Sequence, residues 1–487
     1  MSADKCKRTR PILACRLPYG YLGDYVPIMW DISDVGTLEY ALRSRLLRDL
    51  DEPDKQELVR LAQFVRKWIH GNLRPLNYVM TFEEWLESTS YTDQQKSEFR
   101  EDFNRRRGEC PSKHDLELRK AFIKDEEYPS MKAARFILGP TTSYKGYFGP
   151  MVKSIENEVY KLCDDRGLPY FVKHVPVAER GELISKLLGQ GNRYFVSDFT
   201  AFESHFTKPI MEAIECQLYD YMLQNFSYGR LYSRVVKGRH ILKTHSGLNI
   251  TFEARRCSGD MCTSLGNGFT NLMLALYLAQ SKNVTLHGHV EGDDGIFAIS
   301  GGEITADDYK KLGFTIKIAY VRDPRLGSFC GLVCGDTGQV IRDPYRFLQH
   351  FGWTYSYVHS GIGIHQSLLR AKALSACIET PHCPIIGVLA RRALDKTQGC
   401  LPKFVNDGYH KPVDLRNVVE FAPSAETRQL FEEAYGISIN VQIEIERLIS
   451  LDQLERVSLL LPSSRFNVDC ELVSDIEWFK TRYLERF

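Results

Sequence analysis

The stretch ‘HGHVEGDDGIFAIS’, residues 287–300, places Asp293 and Asp294 side by side within a β pattern. Val284, Leu286 and Val290 alternate with polar or small residues before the pair; Phe297 and Ile299 do so after it, with Ile296 and Ala298 on the opposite face. The pattern predicts two half-buried strands joined as a hairpin. Gly292 and Gly295 bracket the carboxylates and supply the backbone freedom of a tight turn, so both aspartates are expected at its tip. Asp and Gly are turn residues in their own right, and turn chemistry alone explains a lone Gly-Asp-Asp. A reading through a cation requires carboxylates from elsewhere in the chain.

With 487 residues, 43% of them hydrophobic, the chain is long enough for two or three domain-sized units around a large core. Lys plus Arg number 63 against 62 Asp plus Glu, so only local clustering decides whether a polyanion is bound. The 13 cysteines are scattered and odd in number, and neither a secretory signal nor an apolar run of membrane-spanning length appears, which predicts a reducing, cytosolic setting. Cys330/Cys334 and Cys377/Cys383 lack a diagnostic zinc spacing and are read as buried free thiols. No repeat or low-complexity segment interrupts the chain. Residues 36–107 read as helical, with Leu58, Leu61, Phe64, Val65 and Ile69 on one face; strands and helices alternate from about 190 to 335, and helices return after about 346.

Three further segments carry chemistry. In ‘NRYFVSDFTAFESHF’ (192–206) the apolar run Tyr194, Phe195, Val196 leads to Asp198, which either caps a following helix or presents a carboxylate to a metal at a buried strand end. Two strands that each deliver a carboxylate suit phosphoryl transfer with two divalent ions. In ‘RRCSGDMCTSLGNGFTNLMLALYLA’ (255–279), Leu265, Phe269, Leu272, Met273, Leu276 and Ala279 recur at helical spacing and face a core, whereas Thr263, Asn267 and Asn271 stack into a neutral polar stripe suited to a sugar hydroxyl. Ser258 and Gly259 precede the helix as a flexible loop, with Asp260 as its expected cap. In ‘FIKDEEYPSMKAARFILGPTTSYKGYFGP’ (122–150), Lys124, Lys132 and Arg135 lie in an extended strip able to cover a triphosphate; alone it would read as a solvated charge run.

Taken in order, the basic strip, Asp198, the ‘SGDMCTSLGN’ helix and the Gly-Asp-Asp hairpin resemble motifs F, A, B and C of positive-strand viral RNA-dependent RNA polymerases. The tombusvirus-like and nodavirus-like polymerases are the most similar, through ‘SGDMCTSLGN’, ‘TFEEWLESTSYTDQQKSEF’ (81–99) and ‘TRQLFEEAYGISINVQIEIE’ (427–446). The resemblance implies an α+β right hand of fingers, palm and thumb with a ferredoxin-like palm sheet. Its expected divisions are an N-terminal extension and fingers over 1–190 (motif F at 122–140), palm at 191–210, a fingers insertion at 211–250, palm again at 251–345, and thumb at 346–487. It implies that Asp198, Asp293 and, less directly, Asp294 hold Mg²⁺ (or Mn²⁺ in its place), while an RNA 3′-hydroxyl attacks the nucleotide α-phosphate and pyrophosphate leaves. Lys124, Lys132 and Arg135 would face the triphosphate; Glu203, Ser258, Gly259, Thr263 and Asn267 would contact the nucleotide.

By the same resemblance ‘DDYKKLGFTIKIAYV’ (307–321) corresponds to motif D, with Lys317 the candidate proton donor to pyrophosphate and Arg322 its rival, and ‘GSFCGLVCG’ (327–335) to motif E. Lys310 and Lys311 read as a solvated helix face. The chain departs from the family at Glu203, where an aspartate is usual. A reverse transcriptase shares the two-aspartate palm but carries an aromatic gate at this position; Phe202 is only adjacent. A non-catalytic RNA-binding scaffold is the reading from another class. Expected partners are template and nascent RNA, nucleoside triphosphates, and other viral replication proteins or host factors. The expected location is the host cytoplasm, at membrane-bound replication complexes reached through a partner or extension.

Overall fold

The computed structural model describes residues 34–461 except 49, 51, 125, 127–132, 245–248, 355, 356, 358, 405–417 and 458, together with 11–13, 15–17 and 28–30. Lys132 and the C-terminal stretch 462–487 lie outside the described residues. The fold is mixed α+β, with several small sheets set among helices.

Helix α1 (Lys55–Asn72) follows the 3.6-residue period read from the sequence: Leu61, Val65 and Ile69 are buried, and Leu58 and Phe64 pack at the rim of the same core. Asp54 caps it, accepting from the backbone N–H groups of Gln56 and Glu57. The basic strip is extended only in part. Strands β1 (Leu118–Ile123) and β2 (Phe136–Pro140) pair antiparallel, but helix α2 (Thr142–Val159) then runs straight through Gly146, Gly149 and Pro150. Tertiary packing overrides the breakers there: a Cβ on Gly149 would lie 2.2 Å from the Trp85 ring.

The centre of the molecule is a four-stranded antiparallel sheet of β3 (Arg193–Phe199), β6 (Thr285–Glu291), β7 (Asp294–Ser300) and β8 (Ile316–Val321), in the spatial order β8-β3-β7-β6. Strands β4 (Arg239–Lys243) and β5 (Asn249–Glu253) belong elsewhere. They join the N-terminal hairpin in a second sheet, β2-β1-β4-β5, so the segment that pairs with it runs past position 250 to Glu253. Helix α3 (Glu215–Met222) precedes β4, α4 (Thr263–Ser281) lies between β5 and β6, and α5 (Ala306–Lys311) links β7 to β8. The central unit therefore reads strand, helix, strand, strand, helix, strand.

Burial on the central hairpin departs from the expected alternation. Five consecutive residues are buried in each of β6 and β7, because both faces of the sheet are covered. Phe195, Val290 and Phe297 pack toward α4 in the main core; Ile296 and Ala298 pack the other way, with Leu168, Val172, Ile184 and Phe329. Phe195 and Phe297 are opposed in register with ring centroids 5.1 Å apart, and each fully buried Phe contributes roughly 1.5–3 kcal/mol. Beyond a short hairpin at 332–342, the C-terminal part is mainly helical (344–351, 362–379, 386–396, 425–435 and 439–450) around its own core of Leu369, Leu389, Phe431 and Ile445, with a two-residue strand at 353–354 paired to 15–16.

Gly288 marks how tightly the hairpin is built: a Cβ there would meet the Ile296 carbonyl oxygen at 2.3 Å and the Phe297 ring at 2.5 Å. Gly288→Ala is expected to cost about 1–3 kcal/mol through overpacking. A fall in the urea midpoint at unchanged slope checks this, and a midpoint equal to that of the native protein contradicts it.

Candidate functional site

The hairpin turn is two residues long. Asp294 pairs with Glu291, leaving Gly292 and Asp293 as the loop, and Gly292 has a φ of +61° while Asp293 stays on the negative side. That is a type II′ turn, for which glycine at the first loop position is the natural residue. Gly295 plays a different part from the one its sequence position implies. It sits inside β7, where a Cβ would lie 2.5 Å from the Phe297 ring and 2.7 Å from Ser197 Oγ, so it permits close packing rather than turning.

Register assembles the charges. Lys317 pairs directly with Asp198, and one residue beyond the Gly295/Ser197 pair Asp294 comes alongside Asp198. Glu291, Asp294, Asp198 and Lys317 thus form one transverse row, and paired residues share a sheet face. Asp198 itself is exposed and lies one residue inside β3. It neither ends the strand in a desolvated place nor caps a helix; a 3₁₀ turn at Phe202–His205 follows, with Ala201 at its N-cap. Arg322, the rival to Lys317, is turned to Glu433 at 3.2 Å, and Lys310 and Lys311 are exposed on α5.

Asp293 and Asp294 are half-buried. Burial, then the charges of Glu203 and Asp198, pushes the Asp293 carboxyl up to about 6, with Arg135 acting in the opposite sense. Burial and the charges of Asp293 and Asp198 push Asp294 up to about 7, partly offset by the neighbouring Cys330 thiol. The causes locate the groups: Asp198, Glu203 and Arg135 all lie within electrostatic reach of Asp293, although the four come from three separate segments of chain. Hard oxygen donors of this kind suit Mg²⁺ or Mn²⁺, and a divalent cation would relieve the repulsion that raises both carboxyls.

Surrounding groups hold the turn. Asn271 Nδ2 donates to the carbonyls of Gly292 at 3.3 Å and Asp294 at 3.1 Å, so this buried residue braces the hairpin and leaves the sugar-reading stripe to which its spacing assigned it. On the other side Arg180 Nη1 pairs with Glu291 at 2.7 Å, and the Cys330 thiol reaches the same carboxylate at 3.5 Å. Glu203 stands on a turn whose Ala201 has a φ of +51°, a left-handed conformation that costs a non-glycine roughly 1–2 kcal/mol. Phe202 is buried and stacked on Phe199 at 4.1 Å between centroids, so it presents no ring to the site.

The basic hairpin and the loop before α4 are pinned together. Lys124 and Arg135 flank the open end of β1 and β2, share the Glu126 carboxylate at 3.2 Å and 3.4 Å, and are joined by a backbone bond of 2.8 Å. Ser258 Oγ donates to the Phe136 carbonyl at 3.0 Å and Gly259 N–H to Leu138 at 3.1 Å; a Cβ on Gly259 would lie 2.9 Å from that oxygen. The loop is therefore fixed to β2 rather than flexible. Thr263 Oγ1 donates to Cys257 and Asp260 carbonyls, which commits its hydroxyl hydrogen to the loop. Asp260 is not the cap, since Cys262 occupies that position; its carboxylate instead accepts from the Tyr144 hydroxyl at 3.0 Å, near the buried Arg119. Asn267 is buried, with Oδ1 accepting from Arg256 Nε at 3.1 Å.

The residues that sequence patterning missed are Arg180, Glu291, Arg256 and Cys330. Arg256 had a signal, as an arginine two residues before the Ser-Gly pair, but its target is set by folding. Among the described residues, one group of three metal-type side chains has all its ligand atoms within 4.8 Å: Asp164, Asp165 and His287, not the aspartates of the hairpin. Asp164 is already engaged there as a loop anchor, accepting from the N–H groups of Arg166 and Leu168 and from His287 Nδ1 at 2.7 Å. The sequence matches no protein-family profile and no curated protein.

The raised carboxyls have a thermodynamic consequence. Their folded values exceed the unfolded value near 3.8, so the charged forms destabilise the cation-free fold above about pH 7, and this penalty fades as pH falls toward 4. Asp294→Asn should raise the melting temperature of the cation-free protein at pH 7.5, and that advantage should shrink steadily as pH falls toward 4. Mg²⁺ should stabilise the native protein more at pH 7.5 than at pH 5. Thermal melts across this range check both, and increments independent of pH contradict the assignment.

Proposed function

We propose that the chain is an RNA-dependent RNA polymerase of a positive-strand RNA virus, acting by nucleotidyl transfer from nucleoside triphosphates to an RNA 3′-hydroxyl. The observation that carries the reading is convergence. Asp198 and Asp294 stand side by side on adjacent strands, Asp293 sits at the turn between them and Glu203, and the basic hairpin brings Arg135 within electrostatic reach of Asp293. The strand-helix-strand-strand-helix-strand connectivity supports a ferredoxin-like palm. The sheet shared by 118–140 and 239–253 supports fingers assembled from the N-terminal part and the insertion, and the helical C-terminal part supports a thumb.

Asp198 and Asp293, with Asp294 beside them, would hold two Mg²⁺ ions, or Mn²⁺ in their place; when bound, these supply the charge that activates the 3′-hydroxyl and neutralises pyrophosphate. The protein's own groups do the rest. Lys124 and Arg135 balance triphosphate charge from the fingers side, and Glu126 keeps the two cations together in the absence of nucleotide. Lys317, the register partner of Asp198 on the adjacent strand, would give a proton to the leaving pyrophosphate. Asp294 would take the less direct share in metal binding that the resemblance implies.

Ribonucleotides are the substrates this site favours. The reverse-transcriptase reading needs an aromatic gate, and Phe202 is buried against Phe199. Template and nascent RNA are the polymeric partners. No described helix is long and apolar enough to cross a membrane, so membrane-bound replication in the host cytoplasm would run through other replication proteins, host factors or an extension of the chain.

Purified protein given a single-stranded RNA template, with and without primer, labelled nucleotides and Mg²⁺ or Mn²⁺ is expected to make template-directed RNA. Asp293→Ala should lower the rate at least about a hundredfold, equivalent to ~3 kcal/mol of transition-state stabilisation, while Glu203→Asp retains activity. Absence of product from the native protein, or equal product from Asp293→Ala, overturns the reading.

A further inference from the structure

We infer that Arg256 is a positioning residue for ribose selection: it fixes which end of the Asn267 carboxamide faces the nucleotide, and it ties that amide to the turn bearing Glu203. The inference rests on the polymerase reading and deepens it. Arg256 is 1% exposed and its guanidinium meets four partners. Nε donates to Asn267 Oδ1 at 3.1 Å, Nη1 to Cys262 Sγ at 2.9 Å and Nη2 to Glu215 Oε2, while the plane lies 4.3 Å over the Phe206 ring. The Tyr219 hydroxyl donates to the same Glu215 oxygen at 2.8 Å. The packing around this cluster leaves no space for a side chain at Gly266, where a Cβ would lie 2.4 Å from Arg256 Nη2 and 2.5 Å from Glu215 Oε2. Three segments meet here. Phe206 follows the Glu203 turn, Glu215 opens α3, and Asn267 stands on the first turns of α4.

An asparagine side chain has two ends of nearly the same shape and opposite hydrogen-bonding character. A guanidinium carries donors only, so the end that meets Arg256 is the oxygen. Nδ2 is left pointing away, and among the described residues it has no hydrogen-bond partner. A ribose 2′-hydroxyl accepts from such a donor. A deoxyribose offers nothing, and the oriented amide then loses a hydrogen bond it is built to make. Glu215 neutralises Arg256 without competing for Asn267, which is why a buried arginine can be kept at this place. Arg256 touches no substrate in this scheme, yet it sets the polarity of the group that does.

The test compares kcat/KM for a nucleoside triphosphate and its 2′-deoxy counterpart on one RNA template. The proteins are the native chain, Arg256→Lys, Glu215→Gln, Asn267→Ala and the Arg256→Lys/Asn267→Ala double variant, with thermal melting to establish folding. Asn267→Ala and Arg256→Lys are each expected to lower the ribonucleotide preference about tenfold or more. The double variant should lose no more than Asn267→Ala alone, because Arg256 acts through that amide. Glu215→Gln, which preserves the shape and hydrogen bonding around Arg256, should shift the preference in the same direction by a smaller factor, and it carries the comparison if Arg256→Lys does not fold. An unchanged preference in whichever folded variant carries the comparison, or a double variant whose loss is the product of the two single losses, overturns the positioning role and leaves the polymerase reading standing. A native protein that makes no RNA overturns that reading and this inference with it.

Discussion

Repulsion among carboxylates at the edge of a buried sheet is the constraint around which the molecule is arranged. Asp293 and Asp294 would separate or protonate if the turn were free to move, because burial and mutual charge both disfavour their ionised forms. Three kinds of contact keep the turn where it is. Asn271 holds its carbonyls from α4, Gly292 gives it the backbone geometry of a two-residue loop, and the packed pair Phe195 and Phe297 fixes the strands on either side. The stability given up at the tip is small beside that gained from the strands, whose residues are buried on both faces.

Other elements take their positions from this centre. The loop before α4 is stitched to the basic hairpin by Ser258 and Gly259, which ties the segment carrying Asn267 to the segment carrying Arg135. Arg256 performs a similar junction deeper in the core, joining the Glu203 turn, α3 and α4 through one guanidinium. On the far side of the sheet Arg180, Glu291 and Cys330 link the central strands to the short hairpin at 332–342. The proposed active site is thus surrounded by polar junctions, each between segments distant in sequence, and this is how a small cluster of charges is held to a fixed geometry.

Departures from sequence expectation share one cause, which is burial on more sides than a one-dimensional pattern reveals. A period of two suggested half-buried strands because Gly288 and the histidines look polar or neutral on paper; in the fold they lie against a second layer. A four-residue spacing put Thr263, Asn267 and Asn271 on one stripe, but Asn267 and Asn271 are buried and Thr263 is only partly exposed. Each side chain therefore found a local partner: Thr263 the preceding loop, Asn267 Arg256, Asn271 the turn. Helix α2 runs through two glycines and a proline because Trp85 packs against its small residues.

The sequence by itself determined the mixed α+β class, the acidic hairpin, the amphipathic face of α1, the core-facing apolar residues of α4, and the candidate roles of Asp198, Asp293, Asn267 and the basic strip. These follow from local periodicity, turn chemistry and motif spacing, all of which act over short stretches of chain. Only the tertiary structure decided the row formed by Glu291, Asp294, Asp198 and Lys317, the pairing of Arg322 with Glu433, the bracing role of Asn271 and the orientation of Asn267 by Arg256. Strand register and side-chain pairing depend on contacts between residues tens of positions apart, and such contacts form only when the whole core closes.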